Sequence, residues 1–507
     1  MQQKTHCRNQ LMKKYFVIFL TLLSILQIEV QAQVSSSPSI VIVGAGLSGL
    51  YQAFLLEKAG YQVTVLEAQH RLGGRILTER DRGAQDLYQE LGATRLPDTH
   101  LRVQRLVNEL GITLDEFLVN QDTAIYFFKG KRFLEGAHAQ QQVSPDLMTF
   151  LEFSPKEIAM GFKKVKTYYP SLGIDLLKPF SDEAIFHQTL NHPQLAQLSQ
   201  QSYQEFFQSQ HASTGAQRLL EAINGSEFRQ YSALLFLYQE RHDQLWDRTF
   251  KIHGGNDVLT NTLAKHLTST IHLNSTVEKV KWSSEKKQFF ITYAHQGHSK
   301  NIQADYVFMS TSSHALKKIQ FEPSLSEKKQ QLIESTPMQQ VARINLRTKE
   351  RFWKKEGQSG LVVAYTDLPI ERIWDMTATQ EGTEGILTLY VQAQKATDLC
   401  SIKEEDYQHI VLQEVEKVLP SIRAQLLSMN RWCWKQADTI GGGWAIYHAD
   451  NAHLLHHWWE NEQSFNDRLY FIGDHTSPMV GWIEGALESS ERATKSFLRH
   501  NQLVVHE

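Results

Sequence analysis

Three cysteines in 507 residues are too few to act as a disulfide framework, and a chain of this length has core enough not to need one. Cys7 falls in an N-terminal leader; Cys400 and Cys433 remain, able to pair in an oxidising compartment. No Cys-x-x-Cys or Cys/His spacing marks a structural zinc. His453, His456 and His457 have i, i+3, i+4 spacing, but Trp458 and Trp459 follow directly and no carboxylate or cysteine pattern completes a ligand set, so no metal is expected. A basic block is also missing. Lys and Arg total 52 against 55 Asp and Glu, a net charge of −3, which excludes nucleic acid or an anionic membrane surface as the main partner. No internal repeat or low-complexity tract occurs, and past the leader no apolar run approaches the roughly 20 residues that cross a bilayer.

What is present begins with that leader. Lys4, Arg8, Lys13 and Lys14 precede "YFVIFLTLLSIL", and Val30 and Ala32 stand at the −3 and −1 positions of a cleavage site. Residues 1–32 therefore read as a signal peptide, implying a secreted or periplasmic protein with no integral membrane segment in the mature chain. The remainder is 41% hydrophobic with abundant aromatics, enough for two or three packed domains.

"IVIVGAGLSGL" joins a β-branched run to a glycine turn and a helix that ends at Gly60, and "QVTVLEA" supplies a second strand. This is the βαβ opening of a doubly wound sheet. Gly44, Gly46 and Gly49 form the GxGxxG of a dinucleotide site, where the helix N-terminus receives a pyrophosphate. Glu67 ends the second strand, placed to accept from ribose hydroxyls. Strands return at "TIHLNSTVEKVKW", "QFFITYA", "ADYVFMST" and "GILTLYVQAQ", whereas residues 131–249 show helical spacing. In the closing segment Ile483, Leu487, Ser490, Ala493 and Phe497 share one helical face.

The continuation "EAQHRLGGR" resembles the flavin amine oxidase family, which includes monoamine, polyamine and L-amino-acid oxidases. "LYFIGDHTSPMVGWIEGALESSERA" is similar to the family's C-terminal FAD segment. The resemblance implies a mixed α/β fold with a doubly wound, Rossmann-like (GR2-type) FAD-binding domain, a mixed-sheet substrate domain and a helical insertion. The FAD domain is expected over 36–77, 250–330 and 436–500, the substrate domain over 78–130 and 331–435, and the helical domain over 131–249. Arg75 is expected on the FAD pyrophosphate, where a guanidinium fork matches phosphate oxygens. Asp474, where the family usually has glutamate, is expected near the ribityl–phosphate, and the backbone of Val277 near adenine. The helix beginning at Ile483 aims its N-terminus at the flavin pyrimidine.

"YQELGATRLPDTHLRVQRLVNELGITLDEF" resembles the L-amino-acid oxidase branch. There Gly92, Ala93 and Thr94 pass under the flavin and Arg95 binds the substrate carboxylate. Tyr390 supports that arginine, the Gly481 carbonyl receives the substrate amine, and Trp482 walls the site. His242 and Trp246, in "ERHDQLWD", match a stretch that reaches over the substrate. The chain departs from the family at three points. Arg343 replaces a lysine associated with oxygen reactivity, Gly443 replaces a bulkier residue and is expected to enlarge the pocket, and no cysteine stands where FAD is tethered in monoamine oxidases, so FAD is expected to be non-covalent. The implied reaction is oxidative deamination of an L-amino acid by hydride transfer to the flavin, with O2 as acceptor and hydrogen peroxide as product. A homodimer is compatible with this reading. An amine or polyamine oxidase, a dehydrogenase with another acceptor, and a non-catalytic flavoprotein are the alternatives.

Overall fold

The computed structural model describes residues 37–80, 87–116, 124–134, 143–187, 192–243, 248–356, 362–460 and 462–505. The leader and Trp246 lie outside the described residues.

Short apolar runs with no polar alternation suit a sheet covered on both faces. Ile40–Val43, Tyr306–Met309 and Leu469–Phe471 are such runs, and all their residues are buried. They belong to one five-stranded sheet, ordered Thr270–His272, Val63–Leu66, Ile40–Val43, Tyr306–Met309, Leu469–Phe471, with every pair parallel. The order reverses beside Ile40–Val43, whose neighbours come from the next strand on one side and from far along the chain on the other. A doubly wound sheet opens its ligand crevice at the carboxyl ends of the strands at such a point. Helix Leu47–Lys58 starts there and packs against the closing helix Ile483–Val505. Gln52 Nε2 donates to Thr494 Oγ1 at 2.8 Å and Ser490 Oγ to the Ser48 carbonyl at 2.9 Å. Ile483, Leu487, Ser490, Ala493 and Phe497 are all buried, as their helical spacing requires.

A second, seven-stranded sheet is ordered Leu426–Cys433, Val341–Thr348, Gly385–Gln392, Arg372–Asp375, Val362–Thr366, Ile125–Phe128, Lys131–Leu134. A four-stranded sheet built around Ser275–Ser283 and Gln288–His295 stands apart from it. Helices from Pro145–Phe150 to Ala233–Asp243 fill the intervening region. Serine starts several of them: Ser154 and Ser202 form capping boxes with Glu157 and Glu205. Their core is aromatic, with Tyr203 packed against Phe206, Phe207, Phe228 and Phe236. Lys131–Leu134, which helical spacing was expected to include, is instead a strand paired with Ile125–Phe128. Among the described residues no helix is long and apolar enough to cross a membrane.

Cys400 and Cys433 form a disulfide, with Cα atoms 6.1 Å apart, joining helix Ala393–Ser401 to the end of strand Leu426–Cys433. A bridge closing a loop of this size restricts the unfolded chain by about 4 kcal/mol in the entropy model. Cys400→Ser and Cys433→Ser should therefore lower the thermal midpoint by similar amounts, and the double variant no further than either. A midpoint insensitive to both would contradict the bridge.

Candidate active site

The carboxyl ends of Ile40–Val43 and Val63–Leu66 open into a cavity of about 1010 Å³. The glycine turn shapes its wall. A Cβ on Gly49 would lie 2.0 Å from the Gly44 carbonyl oxygen, so the helix can approach the turn only with glycine there. A Cβ on Gly46 would meet nothing within 4 Å, so Gly46 borders open space at the N-terminus of a 12-residue helix. Glu67 lines the same end and accepts from the N–H groups of Ala45 (2.6 Å) and Gln69 (2.8 Å). Burial raises the Glu67 carboxyl despite these bonds. Val277 lines the cavity next to a register shift between Val277 and Lys279, a bulge that re-aims the strand. A cradle for phosphate, an acid at the second strand end and a backbone wall beyond it together fit a dinucleotide.

The two arginines of "RLGGR" have different tasks. Arg71 braces the turn, donating to the carbonyls of Leu72 (3.1 Å) and Gly74 (2.7 Å). Arg75 reaches the cavity and forms a two-pronged pair with Asp474, at 2.5 and 3.0 Å. Asp474 also accepts from the Gly481 N–H at 3.0 Å. Burial alone would raise the Asp474 carboxyl, but Arg75 and its other donors bring it below its ordinary value. The family resemblance implies separate cofactor contacts for these two residues; in the fold they also hold each other. Ile483 lines the cavity immediately beyond Gly481 and Trp482.

The stretch around Arg95 is clamped along its backbone. A Cβ on Gly92 would fall 1.9 Å from the Arg75 carbonyl oxygen, and the Ala93 N–H donates to that oxygen at 3.2 Å. Asn256 Nδ2 donates to the carbonyls of Ala93 (2.9 Å) and Thr94 (3.2 Å), and Trp434 Nε1 to that of Leu91 (2.8 Å). Buried Glu90 accepts from Thr78 and from the Asn256 N–H; burial pushes its carboxyl up to about 7, with Lys251 opposing. Leu96–Pro97 then pairs with Thr249 and Phe250. So fixed, the Arg95 guanidinium lies 5.3 Å from the Trp374 ring and 5.4 Å from the Trp482 ring. Behind Trp482 stands His100, edge-on at 5.0 Å. Burial, reinforced by the charges of His242 and Arg95, pushes His100 down to about 3, so its ring is neutral.

The seven-stranded sheet supplies the facing wall. Its register places Arg343 opposite Tyr390, and Tyr390 opposite Arg372. The Arg343 guanidinium sits 3.7 Å from the Tyr390 ring centre and that of Arg372 4.3 Å from it. Burial pushes Arg343 down to about 10. Its Nη2 donates weakly to the Gly92 carbonyl and Thr94 Oγ1, both at 3.4 Å, tying this wall to the clamp.

Gly44, Gly46, Glu67, Arg75, Gly92, Ala93, Thr94, Arg95, Val277, Arg343, Tyr390, Asp474, Gly481, Trp482 and Ile483 thus all line one cavity, with Gly49 packed behind the turn. His242 does not line it: its Nε2 faces Asp182 at 3.5 Å and its ring meets Tyr238. Gly443 lines it, and a Cβ there would lie 2.7 Å from Val341 Cγ2, so Val341 takes up part of the space beside the glycine. Trp444, beside it, donates to the Tyr231 hydroxyl at 3.0 Å. The histidine cluster needs a correction. A carboxylate does accompany it: ligand atoms of His456, His457 and Glu460 lie within 4.8 Å of one another. The Glu460 Oε1 contact with His457 Nδ1 at 2.8 Å is an internal hydrogen bond, and buried Lys329 donates to the His457 carbonyl at 2.5 Å, a positive charge unfavourable to a cation. Sequence reasoning missed Arg372 and Trp374, whose role depends on strand register.

Known proteins resemble this chain in sequence and in fold. A sequence model of the flavin containing amine oxidoreductases matches residues 47–496. The chain is 29% identical to the L-amino-acid oxidase of Gloydius halys, over 92% of this chain and 90% of that protein. It is 28% identical to that of Bothrops atrox over the same shares. Wild-type putrescine oxidase bound to putrescine superposes with a TM-score of 0.74 at 20% identity, covering 91% of this chain and 99% of that one. Cyclohexylamine oxidase from Brevibacterium oxydans gives 0.72 at 19%, covering 92% and 100%. With a cavity shaped for a dinucleotide and a match over most of its length, the chain belongs to the flavin-containing amine oxidoreductase family.

Proposed function

We propose that the protein is an exported L-amino-acid oxidase that holds FAD without a covalent bond. The observation that carries the substrate class is Arg95, a half-buried guanidinium fixed between Trp374 and Trp482 in the flavin cavity. A simple amine offers such a group nothing to bind; an α-carboxylate does. The names of the two relatives found by sequence agree with this reading.

In this assignment the Gly44–Gly49 turn and Arg75 hold the pyrophosphate, Glu67 the ribose, and Val277 the adenine edge. Asp474 keeps Arg75 oriented. Arg95 and the Tyr390 hydroxyl hold the substrate carboxylate, the Gly481 carbonyl receives the amine, and Trp374, Trp482 and neutral His100 exclude water. Bound FAD would supply the acceptor for the α-hydride and the route for two electrons to O2, and the amino acid would leave as an imine that water hydrolyses to a 2-oxo acid and ammonia. Cys433 is committed to its disulfide, which supports non-covalent FAD, and the disulfide with the signal-like leader supports export.

Purified protein should be yellow. Under anaerobic conditions at least one L-amino acid should bleach the flavin and its decarboxylated amine should not, with peroxide formed on admission of air. Faster bleaching by amines would overturn the substrate class, and turnover with a dye acceptor but without peroxide would overturn the role of O2.

A further inference from the structure

The roles assigned above use Arg75 and Arg95 and leave the two buried guanidiniums of the same cavity unexplained. Arg343 and Arg372 are 4% and 5% exposed, and both line the cavity. Burying a guanidinium without an anion is costly unless its N–H groups are met. Here they are not. Nε and Nη1 of Arg343, and Nε and Nη2 of Arg372, are buried without a hydrogen-bond partner. Each keeps one group that is met: Arg372 Nη1 donates to the Ile223 carbonyl at 3.2 Å, and Arg343 Nη2 donates weakly to the Gly92 carbonyl and Thr94 Oγ1 at 3.4 Å.

Three of the four carboxylates that line the cavity, Glu240 being the fourth, are engaged elsewhere. Asp474 is paired with Arg75, Asp438 with Lys318, and Glu67 with backbone N–H groups. Glu371 comes within 3.9 Å of Arg372 Nη2, but its oxygens accept from the N–H groups of Ser226 and Gln392. Among the described residues Arg343 has no ion pair. Bracing Tyr390 does not account for the two arginines either: stacking uses the flat face of a guanidinium and leaves its in-plane N–H groups unused. Those groups are what a carboxylate takes.

We propose that the site selects L-amino acids whose side chain ends in a carboxylate, with the α-carboxylate on Arg95 and the side-chain carboxylate on Arg372 and Arg343. This rests on the L-amino-acid oxidase reading. The geometry supports it because shared rings link the three guanidiniums in one cavity, Arg95 and Arg343 meeting at Trp374, Arg343 and Arg372 at Tyr390. One molecule with two anionic ends can thus meet separate cations, and a neutral side chain would leave buried N–H groups unpaired.

The test compares L-glutamate and L-aspartate with L-glutamine, L-asparagine and L-leucine. L-Glutamate and L-glutamine have nearly one shape and differ by a charge. We expect kcat/KM for the better acidic substrate to exceed that of its amide by about 100-fold or more. Arg372→Met should shrink that ratio at least about tenfold and Arg372→Lys should restore part of it. Binding gives a readout independent of turnover: glutarate should perturb the flavin spectrum at far lower concentration than its half-amide. Equal turnover of acid and amide, or a ratio unchanged in both Arg372→Met and Arg343→Met, overturns the inference. Bleaching by neutral amino acids alone overturns it while the amino-acid reading stands. Bleaching by no amino acid overturns both.

Discussion

Arg95→Ala is expected to lower kcat/KM for the preferred L-amino acid by about 30-fold to several thousand-fold, the equivalent of the roughly 2–5 kcal/mol of a desolvated, two-pronged arginine–carboxylate pair. The matching decarboxylated amine should lose far less, so the ratio between the two substrates is the quantity to measure. The clamp gives this prediction its sharpness. Gly92, Ala93, Thr94 and Leu96–Pro97 are held by backbone contacts with Arg75, Asn256 and Thr249–Phe250 that do not involve the Arg95 side chain. Alanine therefore removes the guanidinium without freeing the loop. Arg95→Lys should fall between, keeping the charge but losing the fork and the flat face presented to Trp374 and Trp482. Equal losses on amino acid and amine would mean that Arg95 shapes the cavity and does not bind the carboxylate.

What could be read before the fold was known follows from how local each signal is. The glycine turn, Glu67 and the first helix are set within about thirty residues, and their spacing carries their geometry. The closing helix displays its buried face through its period alone. Arg95 was legible because a motif surrounds it. Arg372 had no motif, and its importance arises only when strand Arg372–Asp375 pairs with Gly385–Gln392 in the register that sets it over Tyr390. A shift of one residue would turn it to the other face. The Arg75–Asp474 pair was hidden for a related reason: its members lie 399 positions apart, and each was understood through the cofactor before the other. Gly443 shows the converse limit of local reading. A small residue suggests space, but Val341, a neighbour only in three dimensions, takes up part of it.

That long-range pair makes Arg75→Ala the second large effect. Two losses should combine in it: the fork assigned to the pyrophosphate disappears, and Asp474, 5% exposed, keeps its burial without its partner. Breaking a buried pair from one side typically costs about 3–5 kcal/mol of stability, and the separate loss of the fork assigned to the pyrophosphate should leave the variant largely without FAD as purified. The apoprotein distinguishes the two losses. In the wild type the Asp474 carboxyl is lowered, burial opposing and Arg75 prevailing, so its stabilising contribution is present above the unfolded carboxylate value and fades as pH falls. Removing Arg75, the largest of the groups that lower it, shifts the folded carboxyl upward, so the variant gains less stability than the wild type as pH rises. The gap in thermal midpoint between wild-type and Arg75→Ala apoprotein should therefore widen from about pH 4 to pH 7. Adding Asp474→Asn removes the stranded charge and should narrow the gap again at pH 7, while FAD affinity stays low. A gap that does not change with pH would show that Asp474 is not held by Arg75 in solution, and that the arginine serves the phosphate alone.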